Sequence, residues 1–80
     1  MRYEDVRFEN KEKADSVLGI LRNGIRIYSS ITIGEFFDIV GERSDCVDDK
    51  LGWHDLSKAK VVADGDKWKI DLPQPTDIFY

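Results

Sequence analysis

The sequence predicts an α+β fold in one small domain, and three observations carry that prediction. Apolar residues recur at helical spacing between Lys11 and Tyr28, Thr32 to Glu35 spells a helix-capping box, and Asp64-Gly65 stands between two part-apolar runs. Together they give the order β-α-α-β-β. The expected architecture is a three-stranded antiparallel sheet with two helices packed on one face and a C-terminal Asp-Gly hairpin.

Bulk properties bound the rest. Eighty residues allow a single domain spanning 1–80, with 73–80 as its tail. A chain of this length buries roughly 60–65% of its unfolded surface, which leaves little room for a deep substrate cavity. Hydrophobic residues make up 41% and charged residues 35%, the balance of a soluble globular protein. No apolar run approaches the roughly 20 residues that cross a bilayer, and the N-terminus lacks a signal-peptide pattern. A single cysteine, Cys46, allows no internal disulfide and fits a reducing, cytoplasmic setting.

Taken in order, Val6 and Phe8 alternate with charged neighbours and predict a first strand over Tyr3–Glu9. Asn10 is a good N-cap. Ala14, Val17, Leu18, Leu21, Ile25 and Tyr28 then form one helical stripe, which Ile20 and Ile27 broaden, predicting burial on two sides. The spacing favours a continuous helix to Tyr28; the alternative is a stop at Asn23-Gly24. The capping box starts a second helix over Ile33–Val40, with Ile31 placed to staple onto Phe36 and Gly41 as its stop. Glu42 to Lys50 reads as a polar loop. Leu51, Trp53 and Leu56 read as anchors that pin the connection onto the core, through a single helical turn.

A type I′ Asp64-Gly65 turn fixes the hairpin register. Val61 then faces Trp68, Ala59 faces Ile70 and Ser57 faces Leu72 on an apolar side. Val62 faces Lys67, Lys60 faces Lys69 and Lys58 faces Asp71 on a charged side. Pro73 and Pro75 end the second strand. The tail from Thr76 to Tyr80 either folds back over the core or offers Ile78-Phe79-Tyr80 to a partner.

Charge divides the chain. Seven acids between Glu35 and Asp55 stand against Arg43 and Lys50, a local net of −5 within a total of −4. Lys58, Lys60, Lys67 and Lys69 fall on the outer hairpin face.

Chemistry finds little purchase. One histidine, His54, and one cysteine fall short of a structural zinc site, and acids around Cys46 would raise its pKa rather than activate it. Asp45, Asp48 and Asp49 lack the spacing of a calcium loop, and no phosphate-binding glycine loop occurs. No catalytic, cofactor-binding or metal-binding residue is assigned, no cofactor is expected, and the chain reads as a non-enzyme. A winged-helix reading makes Ile33–Val40 the support helix, 48–57 the recognition helix and the hairpin a wing whose lysines meet phosphates. Against it, Asp48, Asp49 and Asp55 would face the DNA backbone, and Gly52 would interrupt the helix. Trp68 falls on the apolar hairpin face; Trp53 is either core or an aromatic anchor for a partner.

Thr32 to Gly41, Gly52-Trp53-His54-Asp55-Leu56, Asp64-Gly65 and Leu72-Pro73-Gln74-Pro75 resemble a group of small proteins from phages and prophages of Gram-positive bacteria. Phe8, Ala14, Val17 and Leu18 match that group's opening, and Leu51 stands where the group has tyrosine; the similarity covers about residues 5 to 75. It implies a phage setting and a small soluble fold in the host cytoplasm, and it carries over no catalytic residues. The expected function is that of an accessory protein binding another macromolecule, chiefly protein, including as an inhibitor of a host system. The contact residues are then Trp53, Asp48, Asp49, Asp55, Lys58, Lys60, Lys67 and Lys69. A DNA-binding module acting through the lysine face and a self-associating structural component are the alternatives.

Overall fold

Asn10 starts the first helix as its side chain dictates. In the computed structural model, whose described residues are 2–43 and 50–78, its Oδ1 accepts the Lys13 N–H at 2.8 Å. Helix α1 runs unbroken from Lys11 to Tyr28. Gly24 does not stop it, because that glycine serves packing instead: a Cβ there would lie 3.1 Å from the Ile31 Cδ1. The stop comes at Ser29, which takes a left-handed φ of 72° while its N–H reaches the Ile25 carbonyl. Ala14, Val17, Leu18 and Leu21 are buried, each large aliphatic side chain contributing about 1.5–3 kcal/mol. The expected second buried side is absent: Ile20 and Ile27 are 51% and 54% exposed.

Helix α2, Ile33–Val40, follows its sequence signals closely. Thr32 Oγ1 accepts the Glu35 N–H at 3.0 Å, and Glu35 Oε1 accepts the Thr32 N–H at 3.2 Å. Ile31, Ile33, Phe36 and Phe37 are all buried, and Gly41 ends the helix at a φ of 81°.

Antiparallel pairing is present, but in two sheets rather than one of three strands. Strands β1 (Ile31–Thr32), β2 (Leu51–Trp53) and β5 (Thr76–Asp77) form one, in the order β1-β2-β5. Runs of two and three residues are too short for an alternating pattern to show in sequence. The other sheet is the hairpin of β3 (Lys60–Asp64) and β4 (Lys67–Asp71). The expected first strand shrinks to a 3-10 turn at Tyr3–Asp5 and one bridge, Phe8 to Trp68, closed by N–H to carbonyl bonds of 2.8 and 2.9 Å. Leu51–Trp53 is likewise strand, not a helical turn.

The hairpin register differs from the expected one. Lys60 faces Asp71, Val61 faces Ile70, Val62 faces Lys69, Ala63 faces Trp68 and Asp64 faces Lys67, so the loop is Gly65-Asp66. Of the turn residues only Gly65 has positive φ, as a type II′ turn requires, whereas type I′ needs positive φ at both positions. The two-residue slide keeps each residue on its expected face. It also removes the like-charge Lys60–Lys69 pair and exchanges Lys58–Asp71 for Lys60–Asp71 and Lys67–Asp64, a net gain of one opposite-charge pair at about 0.2–1 kcal/mol.

After Pro73 and Pro75 the tail returns to the body. The Ile78 N–H donates to the Lys50 carbonyl at 2.8 Å, and Ile78 is buried. Phe79 and Tyr80 lie outside the described residues. No helix is long and apolar enough to cross a membrane among those described.

Candidate docking groove

The residues singled out from sequence do not converge on one patch. Trp53 is core: it is 2% exposed, its ring meets Tyr3 and Phe36 edge-on at 5.5 and 6.3 Å, and its Nε1 donates to the Pro73 carbonyl at 2.7 Å. Of the two readings of Trp53, core and partner anchor, this burial supports the first and leaves no exposed ring for a partner. The neighbouring Gly52 explains why, since a Cβ there would collide with the Ile31 carbonyl and come within 2.7 Å of Thr32 Cα. Only glycine lets β2 lie this close to β1, and that approach carries Trp53 inward.

Asp48, Asp49, Asp45 and Cys46 lie outside the described residues. Asp55 is exposed and engaged locally: its Oδ1 accepts the Ser57 N–H at 2.9 Å, and this bond holds its carboxyl below the ordinary range. Lys58 and Lys60 are exposed. Lys67 binds Glu9 at 2.9 Å, and Lys69 is half-buried opposite Val62. With Asp64 and Asp71 on the same side, the outer hairpin face is a charge mosaic rather than a basic surface. The recognition helix of the winged-helix reading is not formed, because β2 occupies its middle. His54 is exposed, with Nδ1 3.2 Å from the Ser29 carbonyl oxygen.

One concavity among the described residues draws only Lys67 from this set. A groove of about 640 Å³ runs between the N-terminal segment Asp5–Glu9 and the C-terminal end of α2, where Asp38 to Glu42 form the wall; Lys13 and Val17 of α1 also line it. Its apolar lining comes from Val6 and Phe8, both buried, with Val17, Ile39 and Val40. One wall is the segment that carries the Phe8–Trp68 bridge. Phe8 turns its backbone N–H and carbonyl to Trp68, whereas those of Arg7 and of Glu9, where the chain bends, have no backbone partner among the described residues.

The electrostatics of the groove are lopsided. Arg7 is committed to Asp64 and to the Glu4 and Val6 carbonyls, and Lys67 to Glu9. Asp5, Asp38 and Glu42 remain against Lys13. The last turn of α2 holds no basic residue, although the helix end carries partial negative charge that a cation would stabilise by about 0.3–1 kcal/mol. That mismatch, Asp38 and Glu42 flanking Gly41 after an apolar helix, is the one signal by which sequence reading could have found the groove.

The chain matches no family model, and no curated protein or solved structure is similar to it.

Proposed function

We propose that this protein is a non-enzymatic protein-binding module, and that its groove takes an extended, Lys- or Arg-bearing segment of a partner as an added strand. The observation that carries this reading is the juxtaposition of the Arg7 and Glu9 backbone groups, without backbone partners among the described residues, with the acid-flanked end of α2, whose last turn holds no basic residue. Backbone bonds to these groups would supply affinity, Val6, Phe8 and Val40 would take alternate apolar side chains, and Asp38 and Glu42 would select a basic residue between them. The groove replaces Trp53 and most of the lysine face as the expected contact region and keeps Lys67 in its lining. An accessory role in a phage-infected cell, including inhibition of a host system, is the setting that the sequence resemblance adds.

Selection of displayed random decapeptides on the immobilised protein tests this. Enriched sequences are expected to alternate apolar residues with Lys or Arg and to lose binding at least tenfold on Asp38→Lys/Glu42→Lys. Enrichment of acidic or unpatterned sequences, or full binding to the double variant, would overturn the reading.

A further inference from the structure

All the large hydrophobic side chains exposed among the described residues, Ile20, Ile27 and Tyr28, belong to α1. Ile20 and Ile27 lie two turns apart and only about 20° from each other around the axis. With Lys13, Ser16 and Asn23 they follow the alternating three-four spacing of a coiled-coil seam: Lys13, Ile20 and Ile27 at one core position, Ser16 and Asn23 at the other. All but the apolar pair are exposed polar residues, and the small Ser16 lets a second backbone approach. This seam lies on the side of the helix away from Leu18 and Leu21, which the core uses.

The flank of the seam is self-complementary. Its successive positions are Glu12, Gly19 and Arg26, one heptad apart: an acid at the start, no side chain in the middle, a base at the end. Neither Glu12 nor Arg26 forms an ion pair among the described residues; Arg26 bonds only to Asn23 Oδ1, at 2.7 Å. In an antiparallel pair of such helices, like flanks meet. With the two-fold axis beside Gly19, Glu12 of each copy comes opposite Arg26 of the other, twice per dimer. Ile20 then meets its symmetry mate, and the aliphatic stem of Lys13 lies along Ile27 of the second copy. A parallel pair would instead set Glu12 beside Val17 and carry Arg26 past the end of the helix, leaving both charges unpaired.

We propose that the exposed face of α1 is a homodimer interface in which two copies pair their first helices antiparallel. The occupant is a second copy because the charge order of the flank is its own complement under a two-fold axis. The seam and the docking groove meet at Lys13, which lines both; Ile20 and Ile27 belong to the seam alone. An 18-residue helix offers a strip about 27 Å long, short of the roughly 800 Å² per partner of a standard interface. The dimer is therefore a weak one that forms as concentration rises.

Sedimentation equilibrium from about 20 µM to about 1 mM tests it across the range where weak dimers populate. The weight-average mass is expected to rise from 9.2 kDa toward twice that value. Ile20→Glu/Ile27→Glu, at exposed positions and with a good helix former, is expected to abolish the rise while circular dichroism stays unchanged. Glu12→Arg and Arg26→Glu are each expected to weaken association at least threefold, and an equimolar mixture of the two variants to recover it. A monomer throughout, association that survives the double isoleucine variant, or no recovery on mixing would overturn the proposal.

Discussion

The indole N–H of Trp53 donates to the carbonyl of Pro73 across 20 residues of chain. This bond ties the strand that follows α2 to the segment that leaves the hairpin, so it joins the two sheets. Replacing Trp53 by Phe keeps an aromatic ring but leaves the carbonyl without its donor and a gap where the larger ring sat. The expected loss is about 2–3 kcal/mol, read as a lower urea midpoint with an unchanged slope. An unchanged midpoint would mean that the bond contributes nothing.

Gly52 allows the same approach from the backbone side. A Cβ there has nowhere to move, because the atoms it meets belong to the Ile31–Thr32 main chain rather than to a flexible side chain. Gly52→Ala is expected to cost about 3 kcal/mol or more and to leave much of the chain unfolded at 37 °C, checked by thermal circular dichroism.

Ser29 pays for the stop of α1 with a left-handed backbone that L-residues avoid. Ser29→Gly is expected to stabilise by about 1 kcal/mol, raising Tm by about 4–8 °C in a domain of this size. A lowered Tm would show that the serine side chain holds something the geometry does not reveal.

Glu9 and Lys67 flank the Phe8–Trp68 bridge. The hydrogen bond from Lys67, and then its charge, hold the Glu9 carboxyl below its ordinary 4.5; the same bond raises Lys67 above 10.5. The sign follows. The contribution of Glu9 is present above its unfolded pKa and lost as pH falls through the lowered folded one. That of Lys67 is complete below its unfolded pKa and lost as pH rises through the raised one. Both side chains are solvent-exposed, so the stability effect is small and the titration is the better readout. In Lys67→Met, the Glu9 midpoint measured by carboxyl NMR is expected to move up toward 4.5.

Local signals in the sequence carried far, and non-local ones did not. Asn10, the Thr32–Glu35 box and Gly41 bracket both helices, because caps act through atoms three or four residues away. The hairpin was legible as an apolar and a charged face. Its register was not, since Asp64-Gly65 and Gly65-Asp66 loops differ by a slide of two residues that preserves both faces. Charge pairing across the strands decides between them. The sheet of β1, β2 and β5 depends on Gly52 meeting Ile31, a contact across 21 residues that no local pattern encodes. Trp53 followed that contact into the core. The groove escaped notice for the same reason: Phe8, Val17 and Val40 read singly as core, and only the fold brings them to one rim.

The central claim is that partners add a strand to the Arg7–Glu9 segment. Amide hydrogen exchange followed by NMR, on the free protein and with a saturating selected peptide, tests it most directly. The expected result is at least tenfold slower exchange at Arg7 and Glu9, with little change at Val61 and Ala63 on the outer edge of β3. Slowing at Val61 and Ala63 instead, or none at Arg7 and Glu9, would contradict it.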